Sequence, residues 1–496
     1  MNKKFPEYKN FDLSEINREI NAFWNEHSIF EKSVESREGN PAFVFYEGPP
    51  SANGIPGIHH VMARTIKDIF CRYKTQQGFR VERKAGWDTH GLPVELGVEN
   101  ALNITKEDIG DKISIEEFNA ACRKDVMKYT QMWEELTHMM GYWINMDDPY
   151  VTYDNKYIET VWYLLKEFHR KDLLYKGYSI QPYSPAAGSG LSTHELNQPG
   201  CYRDVKDTTV VAQFRVKRDE RSESLYASTD TDLYILAWTT TPWTLPSNTA
   251  LTVGDNIDYA LIRTFNPYSG IPITVILARE LMNRYFPESD SELELDQYEP
   301  GAKHVPYKLL KTLPGRELEG LSYEQLLDWV DPGENAFRVL TGDFVTTEEG
   351  TGVVHTAPTF GADDLRVARA NNIDAVTVTD REGNVQPLVD RKGRFYRIED
   401  LDEHFVSERV NLDTYGEFAG RYVKNEYDPA LSEKDPTTDV DIAVRMKLEN
   451  KAFRIEKHVH NYPHCWRTDK PVLYYPLDAW FIRTTAMKEQ MIRLNN

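Results

Sequence analysis

The chain has 496 residues, of which 40% are hydrophobic, and its formal net charge is −20. A chain of this length is too long to form one ordinary hydrophobic core, so we predict two or three domains. The negative net charge argues against a protein whose whole surface binds nucleic acid. The sequence has no apolar run of membrane-spanning length and no signal-peptide core, and its four cysteines lack paired spacing. We therefore expect a cytoplasmic protein without a membrane partner.

The first predicted elements are a helix and a strand. Apolar residues at helical spacing predict an amphipathic helix from Leu13 to about Ser36, with Asp12 or Ser14 as its N-cap. The aromatic-rich run Ala42–Tyr46 then predicts a short buried β-strand.

A Gly- and Pro-rich turn follows this strand. The segment Gly48–Gly54 cannot be helical, and apolar positions recur at roughly helical spacing over His59–Gln77. A strand, turn and helix in this order place a pocket at the carboxyl edge of an α/β sheet, where the helix N-terminus suits a phosphate. His60 could donate a hydrogen bond to a phosphate oxygen in a transition state. The alternative is that His59 and His60 only begin a helix.

The next part of the chain changes from helical to β-rich character. Helical periodicity covers Ile113–Met140 and Tyr157–Leu174. The Pro and Gly residues of Ser179–Gly190 predict a loop. Short β-branched runs recur from about Val205 to Val423 and predict a second domain.

A threonine-rich turn stands out in this second domain. Thr239, Thr240 and Thr241 follow an apolar strand and precede Pro242. Their hydroxyl and main-chain N–H groups, in a turn that proline fixes, are suited to hold a carbonyl and a water molecule. The alternative is an ordinary β-edge in which threonine is chosen for its strand propensity.

A second polar block lies further along the same domain. His355 is expected at a strand end, and Asp363 and Asp364 open the next helix. A carboxylate near a helix N-terminus is stabilised as the anion, and an anionic carboxylate can bind an α-ammonium group. The structural alternative is an N-cap, with Asp363 as the candidate.

The segment His458–Thr468 holds several possible zinc ligands, among them His464 and Cys465. However, Thr468 occupies the place where a second cysteine would complete the pair, and His458 and His460 alternate as strand residues do. We favour a polar strand and assign no metal site.

The turn of the first domain resembles a known signature. Gly48–Gly54 together with Pro56–His60 resembles the first motif of the class I aminoacyl-tRNA synthetases, and Gly86–Glu95 resembles a block of their isoleucine, valine and leucine group. Two positions depart from the usual motif, because Gly57 replaces a His and His59 replaces a Gly. The resemblance implies ATP contacts at Gly57, His59 and His60, with His60 catalytic, and an amino-acid pocket with Gly48, Pro49 and Asp88.

The threonine-rich turn and the His355 block resemble the editing domain of the isoleucine-specific members of this family. No Arg follows the threonines, as it tends to do in the valine and leucine members. Editing is needed because a hydrophobic pocket separates isoleucine from valine by only about 1–3 kcal/mol. The resemblance implies that four residues hold the ester-linked end of the tRNA and a water molecule: Thr239, Thr240, Thr241 and Asn248. It also implies that His355 helps choose the amino-acid side chain and that Asp364 binds the amino group. The three threonines and Asp364 are the implied catalytic residues of editing.

The resemblance also implies an α/β architecture in which a β-rich editing domain interrupts a Rossmann-like catalytic domain. We expect a helical segment over 1–40, the first catalytic part over 41–190, the editing domain over 191–430 and a truncated return over 431–496. The implied substrates are ATP with Mg²⁺, L-isoleucine and tRNA(Ile), with valine as the edited amino acid. Zinc is expected only in a part of the parent enzyme that this chain lacks. The alternatives are a valyl or leucyl enzyme fragment, or a free-standing deacylase or tRNA-binding module.

The second class signature, Lys-Met-Ser-Lys-Ser, does not occur in the chain. We expect that this portion alone does not form the aminoacyl adenylate at a useful rate, because half of the groups that position the reactants are missing. An ATP–pyrophosphate exchange assay tests this expectation, and exchange at normal rates would contradict it.

Overall fold

The computed structural model describes residues 11–432 and 435–495, and it divides into two compact units. One unit contains the described residues up to 175 and those from 482 onward, and the other is Lys176–Phe481. The helices and strands that lead up to the second unit are α1 (Leu13–Glu26), α2 (Ile29–Glu35), β1 (Ala42–Tyr46), α3 (Ile58–Gln76), β2 (Arg80–Trp87), α4 (Leu92–Leu102), α5 (Ile115–Val126), α6 (Thr130–Met139), β3 (Asn145–Val151) and α7 (Asn155–Arg170).

The second unit is rich in β-structure. Its elements in chain order are β4 (Leu174–Ser184), β5 (Ser189–Gly190), α8 (Thr193–Leu196), β6 (Tyr202–Arg215), α9 (Glu223–Tyr226), β7 (Leu233–Thr239), β8 (Ala250–Val253), β9 (Asp258–Phe265), β10 (Pro272–Ala278), β11 (Lys308–Pro314), β12 (Arg338–Thr341), β13 (Val353–Thr356), α10 (Ala362–Ala370), β14 (Thr377–Thr379), β15 (Val385–Pro387), α11 (Glu403–Arg409), α12 (Leu412–Tyr415), α13 (Thr438–Leu448), β16 (Ala452–Pro463) and β17 (Leu473–Ile482). The last helix, α14 (Lys488–Asn495), belongs to the first unit.

The sheet of the first unit is parallel, with strand order β1-β2-β3. Helix α3 makes the crossover from β1 to β2, as parallel neighbours require. The strand predicted over 42–46 is confirmed, but the prediction that it is buried is wrong. Val44 and Tyr46 are 57% and 61% exposed, because they lie on the one face of β1 that is left open, whereas Phe43 and Phe45 on the other face are partly buried.

The predicted helix from Leu13 to Ser36 is divided in two. Asp12 accepts hydrogen bonds from the backbone N–H groups of Ser14 and Glu15, which confirms it as the N-cap. The helix then stops because Ser28 adopts a left-handed conformation with φ of 49°. A second short helix, α2, continues from there.

The helical character predicted over 113–140 is confirmed for most of this stretch, which is divided into two helices. These are α5 and α6, which are separated near Tyr129 because the N–H of that residue donates to the carbonyl of Ala52 in the Gly/Pro-rich turn. The helix predicted over 157–174 corresponds to α7, which ends at Arg170. The break between α5 and α6 therefore lies where the chain contacts the Gly/Pro-rich turn.

The loop predicted over 179–190 is confirmed only for the turn at 185–188 and is wrong for the residues on either side, which are in strands. Strand β4 continues through Pro182 to Ser184, and β5 pairs with it in an antiparallel hairpin. Proline is compatible with this strand because its missing N–H is not needed there, and the carbonyl of Pro182 still accepts from the N–H of Leu191 at 2.8 Å.

The second unit is built on a six-stranded sheet with strand order β11-β9-β10-β7-β6-β16. A smaller sheet, ordered β12-β8-β13, lies in the same unit and shares its hydrophobic core, in which Phe214, Leu251 and Tyr323 are fully buried. Strand β16 pairs with β6 over its whole length, which places His458 and His460 in a strand, as predicted. The predicted domain boundaries at residues 190 and 430 lie inside this unit, and the domain division itself stays a prediction.

The helices of the described ranges are all too short or too polar to cross a lipid bilayer.

Candidate functional site

The Gly/Pro-rich turn between β1 and α3 is held in place by neighbouring backbone and side chains. The N–H of Asp88 donates to the carbonyl of Pro50 at 3.1 Å, which joins the turn to the end of β2. The indole Nε1 of Trp133, on α6, donates to the carbonyl of Gly54 at 2.8 Å. The turn is thus fixed on two sides, as a rigid ligand cradle requires.

His60 lies in the first turn of α3, which begins after its N-cap Gly57. The N–H of Gly57 donates to Nδ1 of His60 at 2.9 Å, so the proton of the neutral ring sits on Nε2. Burial lowers the pKa of His60, and the neighbouring His59 and Arg64 lower it further. The ring is therefore a neutral donor at the positive end of a helix, which suits an anionic ligand.

The other predicted residues of this site lie along the same turn. His59 is exposed, and its ring centroid is 3.8 Å from that of His60. Gly48 is exposed and Pro49 is partly exposed, at the end of β1. Asp88 is brought beside them by its backbone bridge to the turn. The structure thus collects the predicted ATP and amino-acid residues at one edge of the parallel sheet.

Glu47 is a feature of this site that the sequence did not single out. Its side chain is 3% exposed, its Oε1 is 2.7 Å from Nζ of Lys67 on α3, and its Oε2 accepts from the hydroxyl of Tyr142. Its main-chain carbonyl accepts from the hydroxyl of Tyr150. This carboxylate therefore ties the end of β1 to α3. The signal in the sequence was an acidic residue directly after an apolar strand.

We expect Glu47→Ala to destabilise the first unit by about 3 kcal/mol, because it leaves the Tyr142 hydroxyl and the Lys67 ammonium without their buried acceptor. Hydrogen exchange of the backbone amides in β1 and α3 measures this loss. Glu82→Ala is the matched control, since Glu82 is an exposed residue of the adjacent strand whose ion pair with Arg80 is also exposed. Equal protection in the two variants would contradict the expectation.

The threonine-rich turn of the second unit forms a connected set of hydroxyl groups. Strand β7 ends at Thr239, and a 3-10 helix runs over Pro242–Ser247. The N–H of Thr241 donates to Oγ1 of Thr239 at 3.1 Å, and Oγ1 of Thr241 is 3.3 Å from Oγ1 of Thr244. Thr240, between them, is partly exposed. The structure therefore brings the three predicted threonines together and adds Thr244.

His355 lies on β13, which pairs with β8. Its Nε2 is 3.0 Å from Oγ1 of Thr244, whereas its Nδ1 is buried with no hydrogen-bond partner among the described residues. Burial lowers the pKa of His355 to about 4, so the ring is neutral near pH 7. Thr244 is the link that sequence analysis missed, and its spacing of three residues from Thr241 was the available signal.

Asp364 lies in the first turn of α10. Its Oδ2 accepts from the N–H of Ala357 at 2.8 Å, two residues after His355. Burial raises the pKa of Asp364 to about 6, against the lowering effect of the Ala357 hydrogen bond, and the charge of Asp363 adds to the rise. Burial therefore outweighs the effect of the helix N-terminus on this pKa, although a carboxyl group with a pKa of about 6 is still mostly ionised near pH 7.

Asp363 is not the N-cap of this helix, since that position is occupied by Gly361. The carboxylate of Asp363 is exposed and lies 3.2 Å from the guanidinium of Arg366. Of the acidic pair, Asp364 alone is turned toward the strand that carries His355.

The side chain of Asn248 is buried and hydrogen-bonded to other protein groups. Its side chain is 2% exposed, its Oδ1 accepts from the hydroxyl of Tyr323 at 2.7 Å, and its Nδ2 donates to the carbonyl of Ala250 at 2.8 Å. Both ends of the amide are therefore occupied by protein groups. Asn248 fixes the backbone where the turn enters β8, and its contact with tRNA stays a prediction.

Within residues 11–432 and 435–495, the structure forms no group of three or more His, Cys, Asp or Glu side chains suited to a metal ion. His460 instead lies 3.2 Å from Asp207, and Nδ1 of His464 is 3.0 Å from the carbonyl of Tyr462.

The chain thus combines a parallel α/β unit, which has a polar turn at the end of its first strand, with a β-rich unit that has its own cluster of polar side chains. Residues 19–496 match the family model of the class I tRNA synthetases (I, L, M and V), and the chain belongs to this family.

The curated relatives include isoleucine–tRNA ligases of several bacteria. The protein of Bacteroides fragilis (strain YCH46) is 62% identical over 495 residues, and that of Porphyromonas gingivalis (strain W83) is 63% identical over 496 residues. Each alignment covers 100% of this chain and 43% of the relative. The Clostridium tetani protein is 39% identical over 99% of this chain and 40% of its own length. The chain thus spans less than half of the relatives that it matches.

Two solved structures show a weaker likeness. One is a leucyl-tRNA synthetase CP1 structure, with a TM-score of 0.30, 13% identity, and coverage of 51% of this chain and 100% of its own. The other is the editing domain of the P. knowlesi cytosolic leucyl-tRNA synthetase, with a TM-score of 0.32, 12% identity, and coverage of 52% and 98%. No argument below depends on these two likenesses.

Proposed function

We propose that this chain is part of an isoleucine–tRNA ligase, which uses ATP with Mg²⁺ to join L-isoleucine to tRNA(Ile), and that its second unit hydrolyses valyl-tRNA(Ile). The observation that carries the editing proposal is the connected set of Thr241, Thr244 and His355 beside Asp364. The relatives named isoleucine–tRNA ligase support the choice of amino acid and tRNA. We place the activity in the cytoplasm.

In the proposed editing reaction, Asp364 holds the α-ammonium group of the misattached amino acid. The hydroxyl groups of Thr239, Thr240 and Thr241 hold the ester-linked end of the tRNA and a water molecule. His355 borders the side chain of the amino acid, and its neutral ring avoids burying a charge beside an apolar group. A bound ammonium would also lower the pKa of Asp364 and favour its ionised form.

In the proposed synthetic reaction, Nε2 of His60 and the N-terminus of α3 contact the phosphates of ATP, near Gly57 and His59. A hydrogen bond from a neutral donor strengthens as negative charge grows on a phosphate oxygen, so this arrangement stabilises the transition state. Gly48, Pro49 and Asp88 border the amino acid at the same sheet edge. Mg²⁺ would neutralise phosphate charge when it is bound with ATP.

Hydrolysis of preformed aminoacyl-tRNA tests the editing proposal directly. We expect this chain to release valine from valyl-tRNA(Ile) much faster than isoleucine from isoleucyl-tRNA(Ile). Faster release of threonine from threonyl-tRNA(Val) would favour a valyl enzyme instead. Equal rates for valyl- and isoleucyl-tRNA(Ile) would contradict the proposed selectivity.

A further inference from the structure

A buried charge cluster contacts the 3-10 helix that follows the three threonines. Lys424 is 7% exposed, and its Nζ is 2.8 Å from Oδ2 of Asp207 and 3.7 Å from Oδ2 of Asp439. The ring of Tyr462 lies under the ammonium at 4.8 Å. Burial alone would lower the pKa of Lys424, but Asp439, Tyr462 and Asp207 raise it, so the lysine is charged. These four residues come from separate segments of the second unit.

Asp439 also reaches the backbone of the turn. Its Oδ1 accepts from the N–H of Trp243 at 2.9 Å, and its side chain is almost wholly buried. Trp243 lies at the start of the 3-10 helix, directly before Thr244. N–H groups at the start of a helix have no partner within the helix, so Asp439 supplies an acceptor that the turn cannot provide for itself.

We propose that Asp439, held by Lys424, is a positioning residue for editing: it fixes the Trp243 N–H and thereby sets where Thr241 and Thr244 present their hydroxyl groups. This inference rests on the editing function proposed above. Asp439 accepts from a main-chain N–H and pairs with Lys424, and neither partner is among the residues proposed to hold the substrate. It acts through the turn, and Lys424 prevents the buried carboxylate from standing unpaired.

Three variants separate this role from general stability. Asp439→Ala removes the acceptor, whereas Asp439→Asn removes the charge but retains a carbonyl oxygen for the Trp243 N–H. Asp441→Ala is the matched control, because Asp441 lies on the same helix α13 and pairs with Arg421 instead. Each variant is assayed with valyl-tRNA(Ile), and backbone amide exchange is followed in the peptide that contains Trp243.

We expect Asp439→Ala to lower kcat for hydrolysis by about tenfold or more with KM changed by less than about twofold, since misplaced groups slow the chemical step. The Trp243 amide should exchange faster in this variant. Asp439→Asn should retain kcat within about threefold of the unsubstituted chain, and Asp441→Ala within about twofold.

The inference is overturned if Asp439→Ala retains normal kcat, or if Asp439→Asn loses as much kcat as Asp439→Ala. If Asp439→Ala fails to fold, the inference is tested by comparing kcat of Asp439→Asn with kcat of Asp441→Ala. A tenfold loss of kcat in Asp439→Asn alone, equivalent to about 1.4 kcal/mol, would contradict a role through the hydrogen bond. Absence of hydrolysis by the unsubstituted chain is a separate result. It refutes the proposed function, because every variant is measured against that activity.

Discussion

Asp364→Ala should remove most of the hydrolysis of valyl-tRNA(Ile) while the chain stays folded. A charge-assisted hydrogen bond to an ammonium group contributes about 1.5–3 kcal/mol, so kcat/KM should fall by about ten- to a hundredfold. Asp363→Ala is the matched control, because that neighbouring carboxylate is exposed and pairs with Arg366. Release of valine from valyl-tRNA(Ile) by each variant is the measurement. An unchanged rate in Asp364→Ala would move the ammonium site elsewhere, with Asp363 as the next candidate.

The same carboxylate should cost the folded protein stability near neutral pH. Its pKa is about 6 in the folded state against 3.8 ordinarily, so the folded chain binds more protons than the unfolded chain between these pH values. The free energy of unfolding therefore falls as pH rises through this window, by on the order of 1–3 kcal/mol. Asp364→Asn keeps an acceptor for the Ala357 N–H and carries no charge. It should unfold at a higher urea concentration than the unsubstituted chain at about pH 7.5.

This stability difference should shrink as pH falls from about 6 to 3.8 and vanish well below 3.8, where Asp364 is protonated in both the folded and the unfolded chain. Catalysis should show the opposite trend, because the protonated carboxyl no longer holds an ammonium group. We expect kcat/KM for valyl-tRNA(Ile) to fall as pH decreases through about 6. His355, with a pKa of about 4, stays neutral over this range and does not account for the fall. A profile that is flat from about pH 5 to 8 would contradict the assignment.

The sequence predicted several local features, but it missed helix breaks and contacts that depend on distant residues. The strand Ala42–Tyr46 and the cap at Asp12 follow from neighbouring residues, and both are confirmed. The pKa of Asp364 could not be predicted, because burial depends on how α10 packs in the folded unit. The contact of Asp439 with Trp243 joins residues 196 positions apart, and no local pattern marks either of them as a partner.

The predicted site residues also differ in whether their positions depend on local structure or on distant contacts. Thr239 and Thr241 form the turn that their spacing indicated, because a turn is a local structure. Asn248 belongs to the same motif, yet its amide is used by Tyr323, which lies 75 residues away. Membership of the motif therefore predicts which region of the chain forms the site. Which side chains of the motif are left free for a substrate depends on tertiary contacts such as that of Asn248 with Tyr323.

Gly352→Ala should be among the most damaging single substitutions in the second unit. Gly352 has a φ of +71°, and an added Cβ would lie 2.3 Å from Cβ of Ala278. The carbonyl of Gly352 accepts from the hydroxyl of Tyr259, and the N–H of Ala278 donates to the carbonyl of Thr351, so the backbone has little freedom to move away. We expect a loss of about 3 kcal/mol or more, of which about 1 kcal/mol comes from the left-handed backbone and the rest from the clash.

Gly383→Ala separates these two contributions. Gly383 has a φ of +81°, but no atom lies within 4 Å of the position that its Cβ would take. It should lose only the backbone share of about 1 kcal/mol, measured by urea unfolding beside Gly352→Ala. Equal losses of stability in the two variants would contradict the predicted clash.

Since Gly352 directly precedes β13, relief of the clash would shift His355 as well. Gly352→Ala should therefore slow hydrolysis of valyl-tRNA(Ile) even where the chain remains folded, whereas Gly383→Ala should not.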